Sequence, residues 1–448
     1  VFRTVLIANR GEIARRIIRA CRELSVRAVA VYSEADRDAP YVSEADDAVA
    51  IGPAAPRESY LNTGAILDAA KRVKADAIHP GYGFLSERWE FAEACTRSGI
   101  VFVGPSADAI RLMGEKTGAR RLMASAGVPV LAGSETPTDS LAEARAVAER
   151  IGFPVMLKAA AGGGGIGIAR AATPADLERG FAIAGRRARA AFGVSALYVE
   201  RFVERARHIE VQVLGDGRGE VVHLYERDCS VQRRHQKLIE ESPAPALDAS
   251  SRSRLLDAAI LGARAIRYAN AGTLEFLVDA GGGCYFLEMN TRLQVEHAVT
   301  EIVTGSDLVI AQLRIAAGER LPWAQQAIRQ CGAAIEARIY AEDPAKQFMP
   351  SPGTITRLEL PSGDGIRVEC GVATGSAVTV YYDPLLMKVI AAGSSRAEAI
   401  ARLETALEGL VIDGVRTTVP FARRVLSHHA FRAGTSHTGM VEEGAFNG

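Results

Sequence analysis

The residues with most chemistry to offer stand between 271 and 301, where Glu275, Glu288 and Asn290 are followed by Arg292, Gln294 and Glu296. Two apolar runs, 272–278 and 284–289, flank Asp279 and a glycine cluster, which predicts a strand, a tight turn and a returning strand. Side chains two apart on a strand share a face. Glu288 and Asn290 therefore point one way, Leu287 and Met289 the other, and Glu275 lies opposite on the neighbouring strand. Two carboxylates and an amide oxygen on one face suit Mg²⁺ (or Mn²⁺), which fills its remaining positions with water and nucleotide phosphates. If the backbone stays extended, the same parity brings Arg292, Gln294 and Glu296 to that side, a cation, an amide and a carboxylate able to hold a small anion and take its proton. An edge strand with a solvated polar face gives the same alternation, but Arg292 and Glu296 set around Leu293 and Val295 point to a built site.

Other stretches offer anion chemistry. A strand-like run over 152–158 ends in Lys158, and Gly162, Gly163, Gly164 and Gly165 follow at once. Consecutive glycines turn backbone N–H groups inward around an anion and the lysine adds a point charge, so a phosphate-holding loop is predicted, with a flexible linker as the plain alternative. It is not a P-loop, because the lysine precedes the glycines. Lys116 stands exposed among helices expected over 106–130, joined at Gly118 and Gly127. The run 197–203 reads as a strand whose backbone could meet a nucleobase edge. Between Glu226 and Lys237, arginines, Gln232 and His235 are dense enough for a solvated loop or a nucleic-acid contact. Neutral net charge and the lack of interleaved aromatics disfavour nucleic acid, and a buried anion pocket facing the 271–301 hairpin fits better. The strand-like run from Ala77 enters a loop at Pro80, Gly81, Tyr82 and Gly83, where open α/β sheets bind ligands; Tyr82 merely covering the sheet end is the equal alternative.

These groups need a scaffold. A strand at 4–8, a helix at 12–23 and a strand at 28–32 make a βαβ unit and predict a parallel sheet that ends with 100–103. Further helices are expected over 63–73, 141–150, 306–317, 396–407 and 418–426, and strands over 208–214, 220–225, 410–414 and 332–340, the last carrying Glu336 and Arg338 on one face. The 448 residues allow two or three domains, and 48% hydrophobic with 24% charged residues is the balance of a folded soluble protein. Zero net charge argues against a broad nucleic-acid or membrane surface. No apolar run is long enough for a bilayer, no signal peptide opens the sequence, and six scattered cysteines lack CxxC spacing, so a soluble intracellular, cytoplasmic protein with reduced thiols is expected.

Taken together, Ile7-Ala-Asn-Arg-Gly-Glu-Ile-Ala14, His79-Pro-Gly-Tyr-Gly-Phe-Leu-Ser-Glu87, Lys158 with its glycines, Glu226-Arg-Asp-Cys-Ser through Lys237, and Glu288-Met-Asn-Thr-Arg-Leu-Gln-Val-Glu-His297 resemble the biotin carboxylase component of biotin-dependent carboxylases. The likeness covers essentially the whole chain. It implies an α/β architecture: an N-terminal parallel-sheet, Rossmann-like domain over 1–112, an ATP-grasp domain over 113–330 with a mobile glycine-rich lid at about 131–203, and a mixed α+β C-terminal domain over 331–448. It implies phosphorylation of bicarbonate by MgATP to carboxyphosphate, which releases CO₂ to N1 of carrier-bound biotin, the first half-reaction of an acyl-CoA or pyruvate carboxylase. By position, Lys116, Lys158 and Gly163 to Gly165 would hold ATP phosphates, Glu200, Arg201 and Val203 would frame the adenine, and His208, Gln232 and His235 would lie near the nucleotide. Glu275, Glu288 and Asn290 would hold the metal. Bicarbonate would lie against Lys237, Arg292, Gln294 and the Val295 backbone, with Glu296 as base, and Arg338, near Tyr82, would stabilise the ureido oxygen of biotin. Ile166 departs from the basic residue usual in the lid. The likeness also implies a biotin carboxyl carrier domain and a carboxyltransferase on other subunits or on a removed extension, and a homodimer for which Arg16, Arg19 and Glu23 could serve, a solvated helix face explaining those three equally well. Another ATP-grasp ligase would share the lysines, glycines and metal carboxylates without needing Arg292, Glu296 and Arg338 together. A catalytically silent subunit would have lost at least one of Lys237, Glu288, Glu296 or Arg338, and all are present.

Overall fold

Aliphatic residues with no polar face build the first sheet. In the computed structural model, which describes residues 2–160 and 167–447, strands β1 (Thr4–Ile7), β2 (Arg27–Ser33), β3 (Asp47–Gly52), β4 (Ala77–His79) and β5 (Val101–Phe102) pair in parallel in the order β3-β2-β1-β4-β5. Helix α1 (Gly11–Glu23) makes the first crossover and buries Ile13, Ile17 and Cys21 against it. β3 is an addition to the predicted strands; its half-exposed alternation marks it as the sheet edge. The strand order reverses between β1 and β4, so the loops after these two strands flank a crevice. Asn9 ties those loops together, its Nδ2 donating to the carbonyls of Pro80 and Tyr82 at 2.7 Å each. Gly81 sits at φ +61° where a Cβ would meet Asn9 Nδ2 at 2.9 Å, so both the turn and the close approach require glycine.

A second, three-stranded antiparallel sheet has its own core, including Leu157, Leu177 and Leu197, under the helices Leu141–Ile151 and Pro174–Phe192, with its central strand paired on both sides. Here β6 is Val155–Ala159, β7 Ala169–Ala171 and β8 Leu197–Arg201. Gly162 to Gly165 and Ile166 lie outside the described residues. The helices Ala107–Gly114 and Lys116–Ser125 meet at Glu115, not at Gly118 as expected. The Glu115 side chain caps the second helix by accepting from the Gly118 amide, which places that glycine in the first turn.

The largest sheet has eight strands. β13 (Cys284–Asn290), β12 (Ala269–Val278), β9 (Arg207–Asp216), β10 (Val221–Arg233), β11 (Gln236–Ser242) and β14 (Ala333–Tyr340) pair antiparallel in that order, and the sheet continues through Leu385–Gly393 and Ile366–Cys370. The sheet thus runs unbroken across position 331. β10 extends through Glu226 to Arg233, so the charged stretch is a central strand, buried from Glu226 to Gln232, and not the solvated loop that its charge density left open. The extended run after β13, by contrast, ends at Asn290, and Glu296 precedes the helix His297–Thr304 directly. No helix among the described residues is long and apolar enough to cross a membrane, and the six cysteines are free.

Arg16 corrects the expectation for α1. It is fully buried, with Nη2 at 2.7 Å from Glu301 and 2.6 Å from Asp307, so it serves neither a partner nor solvent and instead clamps α1 to the helices His297–Thr304 and Leu308–Ala316. Arg19 pairs with Glu369 and remains partly exposed, and Glu23 is exposed. Removing one partner of a buried ion pair strands the other, so Arg16→Ala is expected to destabilise the fold by about 3–5 kcal/mol. A urea midpoint unchanged from wild type would contradict that role.

Candidate active site

Register puts the chemistry in one row. Glu288 lies directly across from Glu275, Glu275 across from Glu210, and Glu210 across from Arg227, on β13, β12, β9 and β10 in turn. Like charges at directly paired positions repel, so three adjacent carboxylates require cations. Arg227, fully buried, donates from Nε to Glu210 at 2.5 Å and also reaches Gln212, Thr273 and Thr300. Lys237 Nζ sits among Glu210 (2.5 Å), Glu275 (2.8 Å) and Glu296 (2.7 Å). Burial alone would lower its pKa, but the three carboxylates override that and hold the ammonium well above its ordinary value. His208 Nε2 adds a contact to Glu275 at 3.0 Å and is itself held by Gln232 at 3.1 Å.

Glu296 is completely buried beneath this row. Burial opposes its charge, yet Lys237, Arg338 and Arg227 outweigh it and keep the carboxylate well below its usual range. Arg338 bridges Glu296 (3.0 Å) and Glu240 (2.5 Å), so one guanidinium holds two carboxylates. Glu336 shares the Arg338 face of β14, as predicted, and lies across from Glu240. Burial raises its carboxyl well above the ordinary range, Lys388 opposing and Glu240 reinforcing. Arg292 donates to Glu87 (2.8 Å), Asn290 Oδ1 (3.0 Å) and Gln294 Oε1 (2.9 Å), which links the 79–87 loop to the site. Tyr82 lines the same cavity, and its hydroxyl donates to Glu12. The Val295 carbonyl is taken by Lys388 at 2.6 Å.

Glu288 is the one member of the row with no ion-pair partner among the described residues. Burial and the facing Glu275 carboxylate raise its pKa. An unpaired carboxylate facing a second one, Glu275, whose other partners are Lys237 and His208, fits a hard divalent ion. Asn290 fits less directly: its Nδ2 donates to Glu275 at 2.8 Å and its oxygen faces Arg292, so ligation through that oxygen requires the amide to turn.

His208, Lys237, Glu275, Glu288, Arg292 and Arg338 line one cavity of about 1220 Å³ together with Tyr82, Gln232, Asn290, Gln294 and Val295, whereas Glu210, Arg227, Glu240, Glu296 and Glu336 lie behind its wall. Lys116, Lys158, Glu200, Arg201, Val203 and His235 line it too. Glu200 meets Lys158 across the β6–β8 pair and Arg120 at 3.3 Å, so it orients the lysine. Met156, Leu277, Leu287 and Phe202 supply a half-buried apolar shelf that sequence reading missed. Leu287 was placed on the opposite face with Met289, which is indeed core. The pairing shifts between Glu275 and Phe276, leaving Leu287 as an extra residue, and this bulge turns its side chain into the cavity. Glu210 was also missed, although His208, Glu210 and Gln212 alternating with Ile209, Val211 and Val213 is a readable polar face.

Three comparisons bear on this arrangement. Residues 1–110 match the family described as "Biotin carboxylase, N-terminal domain", 115–324 "Carbamoyl-phosphate synthase L chain, ATP binding domain", and 336–443 "Biotin carboxylase C-terminal domain". The chain is 52% identical over 443 residues to Biotin carboxylase 2 of Bacillus subtilis, covering 99% of this chain and 100% of that protein. It is 50% identical to the mitochondrial methylcrotonoyl-CoA carboxylase subunit alpha of Rattus norvegicus, covering 98% of this chain and 62% of that one. The biotin carboxylase domain dimer of Hydrogenobacter thermophilus 2-oxoglutarate carboxylase, solved with MgADP, ADP and bicarbonate, superposes with a TM-score of 0.95 at 47% identity, covering 100% of this chain and 99% of that one. With those matches spanning its length and a cavity that joins lysines, facing carboxylates and a buried Lys–Glu–Arg chain, the protein belongs to the biotin carboxylase family, whose members are ATP-dependent ligases.

Proposed function

We propose that this chain uses ATP to activate bicarbonate as carboxyphosphate and passes the released CO₂ to N1 of biotin borne on a separate carrier domain. The observation that carries the reading is the chain Lys237–Glu296–Arg338, which joins the carboxylate row to the cavity wall beside Tyr82. Bicarbonate rests against Arg292, Gln294, Lys237 and the Val295 amide. The two cations weaken its hold on its proton, which passes to Glu296, and the freed oxygen attacks the γ-phosphorus of ATP as ADP leaves. Proton uptake cancels the Glu296 charge, which frees the Arg338 Nη2 for the biotin ureido oxygen while Nε stays on Glu240. Carboxyphosphate then splits into CO₂ and phosphate; phosphate takes the N1 proton and N1 bonds to CO₂. Lys116, Lys158 and Gly163 to Gly165 hold the nucleotide phosphates. The base lies on the apolar shelf between the backbone at Arg201 and Val203 and the side chains of His208, Gln232 and His235. A divalent cation held by Glu275, Glu288 and a turned Asn290 supplies charge neutralisation to the phosphate oxygens when bound. Partners are a biotin carrier domain, a carboxyltransferase, and a second copy of the chain.

The deciding experiment measures ADP release from MgATP by purified protein, with and without bicarbonate and biotin. Turnover that needs bicarbonate and rises with biotin is expected; turnover indifferent to both would favour another ligase. Removing the Glu288 charge tests the metal assignment. Glu288→Gln is expected to weaken Mn²⁺ binding at least as much as the ~10–100-fold that supporting residues of a metal site cost. The same change relieves the repulsion from Glu275. Because the folded-state pKa of Glu288 is raised, wild type loses stability as pH rises toward it, and the metal-free variant should melt higher than wild type near neutral pH. Equal Mn²⁺ affinity in the two proteins would remove Glu288 from the metal site.

A further inference from the structure

The segment between the strand Ala377–Val378 and the strand Leu385–Gly393 has two sides. On its inner side Tyr382 and Asp383 line the cavity together with Tyr82 and Arg338. Tyr382 is pinned: its hydroxyl bonds Ser33 Oγ at 2.5 Å and the Ala54 carbonyl at 2.6 Å, and the Arg10 guanidinium lies 4.4 Å from its ring centre. On the outer side, Val380 and Tyr381 are 76% and 50% exposed. Among the described residues only Met349, at 60%, joins them at half exposure or more as a large hydrophobic. Met349 lies on a segment tied to the same strand end. The Ser351 amide donates to the Ala341 carbonyl and the Ala341 amide to the Pro384 carbonyl, at 2.8 and 2.9 Å, so both segments hang from the end of β14 just beyond Arg338. Single exposed hydrophobics are ordinary, but here the three most exposed large ones among the described residues all lie on segments tied to the strand end that carries Arg338. A held apolar tip loses little entropy when covered.

We propose that Val380, Tyr381 and Met349 form the docking surface for the biotin-bearing carrier domain. The inference rests on the function proposed above. Biotin attached to a protein reaches Arg338 only if that protein stands against the mouth of the cavity, and this edge offers the apolar, aromatic contact such a transient partner needs.

The test uses Val380→Asp/Tyr381→Ala and, separately, Met349→Ser, with ADP release followed on free biotin and on a biotinylated carrier domain that supports turnover by wild type. The expected result is a rise of about tenfold or more in KM for the carrier with free-biotin turnover within about twofold of wild type. Unchanged carrier kinetics in both variants would overturn the docking surface. Equal losses on both substrates would also overturn it, by making the loop part of the catalytic wall. A variant that changed only self-association would assign the patch to a second copy of the chain and likewise overturn it. Wild type without biotin-dependent turnover on either substrate would defeat the functional reading itself.

Discussion

Glu296→Gln is expected to lower bicarbonate-dependent ATP turnover by about 10²–10⁴-fold, the range a general base contributes, while leaving ATP binding close to wild type. The substitution keeps the shape and removes only the negative charge and the proton acceptor. Each cation that touches or senses Glu296 keeps another carboxylate: Lys237 retains Glu210 and Glu275, Arg338 retains Glu240, and Arg227 retains Glu210. The fold should therefore survive. Nucleotide binding followed by calorimetry, beside ADP release with saturating bicarbonate, separates chemistry from binding. Wild-type turnover in the variant would remove Glu296 as the base, and lost nucleotide affinity would place it in the binding site instead.

Arg338→Gln should divide the two halves of the reaction. Losing one preorganised donor to a developing oxyanion costs about 10²–10³-fold, so biotin-stimulated turnover should fall by that factor while slow bicarbonate-dependent ADP release without biotin persists. The structural cost is larger than for Glu296→Gln, because Glu240 and Glu296 both lose a partner. Burial already pushes Glu240 up to about 7 with Arg338 beside it, so Glu240 takes a proton in the variant, and that limits the penalty near neutral pH. If ADP release without biotin falls as far as the biotin-stimulated rate, Arg338 acts on bicarbonate activation and not on biotin.

Much of the site was legible because strands write their faces at period two. Glu275 opposite Glu288 followed from a hairpin with a short turn, and the register bears it out. The same rule failed twice, each time for a local reason. The bulge turned Leu287 into the cavity, and the early end of β13 placed Glu296 at the start of a helix, where it is buried rather than continuing a strand face. Charge density left a solvated loop open at 226–233 and a solvated helix face open at Arg16. A basic stretch reads as solvated until opposite charges arrive from elsewhere in the chain, here Glu210 for Arg227 and Glu301 with Asp307 for Arg16.

By itself the sequence determined the types of element, the chemistry of the motifs and the family they resemble, because periodicity, glycine turns and residue type are local properties. Only the tertiary structure decided which strands stand beside that hairpin, and with that the continuation of the Glu288–Glu275 pair to Glu210 and Arg227, the three carboxylates around Lys237, the second carboxylate on Arg338 and the burial of Arg16. Those are pairings between residues tens to hundreds of positions apart. They are set by sheet order and register, and a charge in one segment carries no mark of which distant charge will neutralise it.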